Sequence, residues 1–239
     1  MKTRIAINGF GRIGRNLFRL LLNHPTIEVV AINDIADNKT MAHLAKYDSI
    51  HGVLNQKVSF SDDSIIIDGK SYLFFHEREI KNLDWKSVNV DIVIESTGKF
   101  KTFEEINQHI IAGAKKVILS APSEVEEIKT VVLGVNEHIL DGNETIISNA
   151  SCTTNNAAPM IKIIQDLCEI EQAYITTVHS YTTDQSLHDQ PHKDLRRARG
   201  ASQSIVPTTT GAAKALTKIF PELDGKIGGC GIRVPVPDG

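Results

Sequence analysis

The sequence predicts an α/β protein: a parallel sheet wound by helices, followed by a smaller domain that mixes helix and strand. Three observations predict it. Over the first 150 residues, short apolar runs alternate with amphipathic stretches, the pattern of successive strand–helix units. A glycine-rich turn joins the first run to the first amphipathic stretch. Beyond residue 150 the pattern changes to a helix signal behind Cys152, an extended run holding His179, and a long polar segment.

Arg4 to Ile7 is the first apolar run, and it enters Asn8-Gly9-Phe10-Gly11-Arg12-Ile13-Gly14. Ile13, Leu17, Leu20 and Leu21 then recur at helical spacing. Glu28 to Asn33 is the next strand, and Asp34 ends it, 20 residues after Gly14. Strand, Gly-x-Gly-x-x-Gly turn, helix, strand and acid together form a Rossmann-type dinucleotide fingerprint. Gly9, Gly11 and Gly14 let the backbone approach a pyrophosphate, and the helix N-terminus faces its charge. The Asp34 carboxylate accepts from ribose hydroxyls and repels a 2′-phosphate, which favours NAD over NADP.

Lys57–Phe60, Ser64–Ile67 and Tyr72–Phe75 read as strands, with Asp68-Gly69 as a hairpin turn between the last two. They predict an antiparallel addition to the parallel sheet. Arg78 follows, either a solvated charge or a contact to the adenine side of the cofactor. Val90–Glu95 is a buried-type strand entering Ser96-Thr97-Gly98. Phe103–Ala112 reads as a helix stopped by Gly113, and Val117–Ser120 as another strand. Ligands of wound parallel sheets bind beyond the carboxyl ends of strands, where Thr97, Gly98 and Ser120 fall. Val131–Leu133 and Thr145–Ser148 complete a first domain of residues 1–150, leaving 151–239 as the second.

The second domain opens on Ser148-Asn149-Ala150-Ser151-Cys152-Thr153-Thr154-Asn155. A helix is expected over Ala157–Ile170, with Ser151 a cap ahead of it, which puts Cys152 near a helix N-terminus. Aligned peptide dipoles there favour a thiolate, hence a nucleophile. Read alone, a free cysteine is also a small buried hydrophobe. Ala157, Met160, Ile161, Ile164, Leu167 and Cys168 are expected to form the helix's apolar face, with Cys168 in the core. Tyr174–Thr182 reads as a strand, and its His179 is a candidate base for Cys152. The polar segment 183–203 holds a basic run broken by Asp194. Gly211–Phe220 reads as a helix, and Lys226–Val236 as a strand carrying Cys230 and Arg233.

Composition narrows the class. A formal net charge of −3 over 239 residues argues against a general nucleic-acid binder. Three scattered cysteines form neither a disulfide framework nor a zinc pair, so a reducing, cytoplasmic setting without a metal is expected. Arg4, Arg12 and Arg15 interrupt any signal-peptide core, and no run has transmembrane length. No membrane partner is expected.

Three motifs carry a family resemblance: Asn8-Gly-Phe-Gly-Arg-Ile-Gly-Arg15, Ser148-Asn-Ala-Ser-Cys-Thr-Thr-Asn155 and Pro191-His-Lys-Asp-Leu-Arg-Arg-Ala-Arg199. Together they resemble phosphorylating glyceraldehyde-3-phosphate dehydrogenases and their erythrose-4-phosphate relatives. The resemblance implies Cys152 as nucleophile and His179 as its partner. It implies cofactor contacts at Arg12, Ile13, Asp34, Arg78 and Ser120. It implies a site for the substrate's own phosphate at Thr182 and Arg233, and one for the attacking phosphate at Ser151, Thr153, Arg197, Thr210 and Gly211. NAD, glyceraldehyde 3-phosphate and inorganic phosphate are the implied ligands, and a homotetramer the implied assembly. The family's chain runs past the position of Gly239, so the resemblance implies an α+β catalytic domain incomplete at its C-terminus. Gln190 stands where NAD-preferring members carry Leu before the proline. A dehydrogenase of the same chemistry acting on erythrose 4-phosphate, a catalytically silent NAD-binding chain and a Cys–His hydrolase are the competing readings.

Overall fold

In a computed structural model of the chain, which describes residues 2–238, two compact units separate. The first comprises Met1–Val131 and Asn136–Ala150, and the second Val132–Val135 and Ser151–Gly239. The first unit runs β1 (Thr3–Asn8), α1 (Arg12–Leu21), β2 (Ile27–Asn33), α2 (Asn38–Lys46), β3 (Tyr47–Asp48), β4 (Gly52–Val53), β5 (Val58–Phe60), β6 (Ser64–Ile67), β7 (Lys70–Phe75), β8 (Ile92–Glu95), α3 (Phe103–Ile111), β9 (Lys116–Leu119), β10 (Lys129–Thr130) and β11 (Ile146–Ser148). The second runs α4 (Cys152–Leu167), β12 (Ala173–Ser180), β13 (Val206–Thr208), α5 (Ala212–Ile219) and β14 (Ile227–Val234).

Among the described residues the first unit carries a nine-stranded sheet in the order β10-β11-β9-β8-β1-β2-β7-β6-β5. Strands β10 to β7 in that order pair parallel, and β7, β6 and β5 pair antiparallel, as the hairpin signal predicts. Asp68 and Gly69 take positive φ angles of 48° and 84°, the backbone a tight hairpin requires. The chain leaves β1 through α1 to β2 on one side and later fills β8 on the other. The carboxyl end of β1 is therefore a switch point, where a crevice opens.

One face of this sheet is held by an aromatic cluster. Phe18 of α1 packs edge-on against Phe10 and against Tyr72 of β7, with ring centroids 5.4 and 4.9 Å apart. Phe10 meets Phe74 at 5.9 Å. Each such pair adds about 0.5–1.5 kcal/mol beyond the area it buries. The other face buries Trp85, Val93, Ile106 and Val117. Helix α3 starts in a complete capping box between Thr102 and Glu105, and Gly113 at φ 110° ends the turn that follows it. In the second unit, β12 pairs parallel with β14, and β14 pairs antiparallel with β13.

Three expectations are corrected. Val131–Leu133, expected among the segments that complete the first domain, adds no strand to its sheet; the pairing residues are Lys129 and Thr130, beside β11. Val131 and Val132 are buried but Leu133 is exposed, so the apolar run marks neither a strand nor uniform burial. Helix α4 starts at Cys152, not Ala157, and stops at Leu167, not Ile170. Its first turn, Cys-Thr-Thr-Asn, has no apolar periodicity, so the pattern becomes visible only later. Of the expected apolar face, Ala157 and Ile161 are buried, whereas Met160, Ile164, Leu167 and Cys168 are exposed. Cys168 is a surface thiol at the helix C-cap rather than a core residue.

Candidate active site

In the second unit, three elements bring a thiol, an imidazole and a guanidinium together. Ser151 caps α4: its Oγ accepts from the Thr154 N–H at 3.0 Å. Cys152 is the first helical residue and is exposed. Ala150, two residues ahead, sits at φ 58°, a left-handed backbone that costs a non-glycine residue about 1 kcal/mol or more. His179 lies near the end of β12, and its Nε2 is 3.2 Å from the Cys152 Sγ.

Strand register adds Arg233, which sits opposite His179 across the β12–β14 pair. Its Nη1 lies 2.7 Å from His179 Nδ1 and donates to the Ser180 carbonyl at 2.9 Å. That carbonyl is itself 2.8 Å from Nδ1. Nδ1 thus has a donor, the Arg233 guanidinium, and an acceptor, the Ser180 carbonyl, both within hydrogen-bond reach, while Nε2 faces the sulfur. Burial pushes Arg233 below the ordinary arginine value, and the neighbouring Arg197 adds to the shift.

The expected phosphate residues spread over the flanking segments. Arg197 donates through Nε to Thr208 Oγ1 at 2.8 Å and pairs with Asp184. Asp184 also faces His192. Burial acts to raise its carboxyl, but Arg197 and His192 outweigh it and hold it low. The basic run is largely neutralised: Arg196 pairs with Asp194 and Arg199 with Asp189. Thr210 Oγ1 accepts from the Ala212 N–H at the head of α5, and Gly211 is that helix's N-cap. Thr153 follows Cys152 in the first turn of α4, and the Thr182 carbonyl accepts from Gln185. Among the described residues, hydrogen bonds link Arg233, but not Thr182, Thr210 or Gly211, to the Cys152–His179 pair.

In the first unit, the dinucleotide residues gather at the carboxyl ends of β1, β2 and β8. A cavity of about 210 Å³ lies there, lined by Gly9, Gly11, Asp34, Arg78 and Thr97 among others. Gly9 has φ 94°, and a Cβ on it would fall 2.7 Å from the Thr97 nitrogen. A Cβ on Gly14 would fall 2.1 Å from the Gly9 carbonyl oxygen, so helix and strand can approach only without it. A Cβ on Gly11 would meet nothing within 4 Å, leaving the turn open where a phosphate approaches. No side chain caps α1, so its first N–H groups stay available to an anion. The Asp34 carboxylate accepts from the Phe10 N–H at 2.7 Å and the Ala36 N–H at 3.2 Å. These contacts fix it while leaving lone pairs for ribose hydroxyls. The donor set, the bare helix end and the glycine cradle fit a dinucleotide.

The remaining cofactor candidates, Arg12, Ile13, Gly98 and Ser120, are not among the residues that line that cavity. Ile13 is exposed on α1, Gly98 takes φ 68° just after β8, and Ser120, just after β9, donates its N–H to the Glu95 carbonyl. Arg12 is held by Asp48, which sequence reading missed: the two lie 36 residues apart and no local pattern links them. Burial acts to raise Asp48, but Arg12 and the His51 and Ile50 N–H groups prevail and keep it well below the ordinary carboxylate range.

Comparison with known proteins gives the same outline. Residues 3–103 match the family model described as glyceraldehyde 3-phosphate dehydrogenase, NAD binding domain, and residues 151–239 the corresponding C-terminal domain. Glyceraldehyde-3-phosphate dehydrogenase of Geobacillus stearothermophilus is 53% identical over 239 residues, covering 100% of this chain and 71% of the relative. An enzyme of the same name from Bacillus subtilis is 51% identical over the same span and share. A second-numbered form from Streptomyces avermitilis is 53% identical over 241 residues, 100% of this chain and 72% of the relative. The chain thus spans about seven-tenths of the length of these relatives, and it belongs to the glyceraldehyde 3-phosphate dehydrogenase family.

Proposed function

We infer that this chain performs the family's glycolytic reaction, the NAD-dependent oxidation of glyceraldehyde 3-phosphate with uptake of inorganic phosphate to give 1,3-bisphosphoglycerate. The observation that carries the reading is the Cys152–His179 contact of 3.2 Å at a capped helix N-terminus. It occurs in a chain whose other unit ends its strands on a dinucleotide cradle. Hydrolysis by a Cys–His pair would leave that cradle without a use.

Residues 1–150 act as the NAD-binding domain and residues 151–239 as the catalytic domain. Gly9, Gly11, Gly14, Arg12 and Ile13 take the pyrophosphate side, Asp34 the ribose, and Arg78, Thr97, Gly98 and Ser120 the surrounding contacts. NAD supplies the hydride acceptor when bound. The Cys152 thiolate adds to the aldehyde carbon, forming a C–S bond and an alkoxide. His179 Nε2, which takes up the thiol proton, and the Cys152 N–H donate to that oxygen. Collapse of the alkoxide expels hydride and leaves a thioester on Cys152. Phosphate oxygen then attacks the acyl carbon, the C–S bond breaks, and the thiolate is restored. Thr182 and Arg233 hold the substrate's phosphate, and Ser151, Thr153, Arg197, Thr210 and Gly211 the incoming one. Guanidinium forks and hydroxyls suit phosphate oxygens. The assembly is a homotetramer and the setting cytoplasmic; no helix among the described residues is long and apolar enough to cross a membrane.

The test is NADH absorbance with the purified chain, NAD, aldehyde and phosphate. A phosphate-dependent rate is expected, and Cys152→Ser should fold yet lose it. Near-normal NADH production by that variant would overturn the assignment.

A further inference from the structure

Behind the dinucleotide crevice lies a buried polar network that the mechanism does not use. Glu95, His109, Asn8 and Asn33 are each at most 5% exposed, and Trp85 is fully buried. All five lie in the first unit. The Glu95 carboxylate sits at its centre. Its Oε1 accepts from the Thr97 N–H at 2.8 Å and from the Thr97 hydroxyl. Its Oε2 faces His109 Nε2 at 3.0 Å and accepts from Asn8 Nδ2.

The direction of these bonds, that of the Thr97 hydroxyl apart, follows from donors that cannot reverse. An indole N–H only donates, and Trp85 Nε1 lies 2.9 Å from His109 Nδ1. Nδ1 therefore accepts, the ring's proton sits on Nε2, and Nε2 donates to Glu95. A protonated ring would set an N–H against the indole N–H. On the other side, the Glu77 backbone N–H donates to Asn33 Oδ1 at 2.8 Å. That fixes Asn33 Nδ2 as donor to Asn8 Oδ1, 2.7 Å away, and so turns Asn8 Nδ2 toward Glu95. With the Thr97 N–H, three irreversible donors converge on one carboxyl group. The Thr97 hydroxyl is the one further contact, so the carboxyl group serves these three donors as an acceptor.

The output of this arrangement is the turn after β8. Thr97 lines the cofactor cavity, and its nitrogen is the nearest atom to a Cβ placed on Gly9. Ser96 Oγ donates to the Gly9 carbonyl at 2.7 Å, tying the same turn to the glycine loop. Neither Trp85 nor His109 lines that cavity. We propose that Trp85, His109, Asn33 and Asn8 are positioning residues for NAD: they orient the Glu95 carboxyl group, which holds the Thr97–Gly98 turn in its cofactor-binding conformation. This rests on the reading of the crevice as the NAD site.

Glu95→Gln tests it, because an amide keeps the shape but puts a donor where only acceptors fit. One end of the amide must then face either the Thr97 N–H or the His109 and Asn8 donors. Unmet buried donors are costly, and the turn relaxes to relieve them. NAD dissociation constants from titration calorimetry should rise about tenfold, on the scale of one lost buried hydrogen bond. A thermal midpoint that falls while NAD affinity stays at the wild-type value would assign the network to stability alone and overturn the proposal. A wild-type chain without NAD affinity would overturn the cofactor reading and this inference with it.

The double variant Trp85→Phe/Glu95→Gln tests the directionality. Phe lacks the indole donor, so His109 can carry its proton on Nδ1 and accept at Nε2 from the Gln amide. The double variant should bind NAD more tightly than Glu95→Gln, whereas simple addition of the two losses would overturn the polarity argument. If Glu95→Gln does not fold, Trp85→Phe alone carries the test. It removes the lock on the ring and should weaken NAD about threefold, a fraction of a full hydrogen bond; unchanged affinity would overturn the proposal.

Discussion

Helix α4 carries a cysteine at each end, and the two ends are different chemical places. Cys152 is the first helical residue, behind the Ser151 cap and 3.2 Å from an imidazole nitrogen. Cys168 is the C-cap residue, its N–H bonded to the Ile164 carbonyl and its sulfur exposed. No basic residue stands in the last helical turn, and the exposed acids Asp166, Glu169 and Glu171 surround that end in sequence. The helix dipole presents partial positive charge to the first sulfur and partial negative charge to the second. Exposure is common to both, so exposure does not separate the two thiols; the helix end and the neighbouring imidazole do.

The strongest way to break this comparison is to remove the base and keep the helix end. His179→Asn should lower the rate of NADH formation by about 10²- to 10⁴-fold, the usual range for a positioned acid–base group. A loss below tenfold would mean that the helix end alone activates Cys152, and the contrast would reduce to dipole sign. The comparison can be sharpened without turnover by alkylation. Under limiting iodoacetamide, peptide mass spectrometry should find Cys152 modified about a hundredfold faster than Cys168, a ratio set by thiolate character. Equal rates at the two thiols would remove the physical basis of the contrast.

The same helix shows what a sequence discloses. The cap at Ser151 is legible because Ser before a helix is local chemistry. The start at Cys152 is not, because the first turn is polar and its periodicity is silent. Cys168 reads as a core residue because it continues the apolar stripe of Ile161 and Ile164. A stripe says which side of a helix is apolar, not that anything packs on it. In the first unit, the glycine turn and Asp34 are legible because each supplies a backbone freedom or a charge that few residues can. Arg12–Asp48, His179–Arg233 and Trp85–His109–Glu95 are not. These contacts span 36, 54, 24 and 14 residues and arise from strand register and helix packing. His179 and Arg233 meet only because β12 and β14 pair parallel in that register. The sequence thus exposes the residues that do chemistry sooner than those that hold them in place.

The smallest expected effect separates two roles of the cap. Of the four N–H groups at the head of α4, the Asn155 N–H bonds the Ser151 carbonyl and the Thr154 N–H bonds the Ser151 hydroxyl. Among the described residues no hydrogen bond is made by the N–H groups of Cys152 and Thr153, which leaves both for an oxyanion or a phosphate. Ser151→Ala strands the Thr154 N–H and should cost about 1 kcal/mol of stability. For a chain of this size that is a fall of roughly 2–4 °C in the thermal midpoint. Ser151→Gly should cost only a few tenths of a kcal/mol, since glycine lets water reach the freed donor. If Ser151→Ala lowers the midpoint while the alkylation rate of Cys152 holds, the hydroxyl serves the helix and the open N–H groups serve the sulfur. If the alkylation rate falls tenfold with it, the cap itself sets the field at Cys152, and the contrast with Cys168 lies in capping as much as in the dipole.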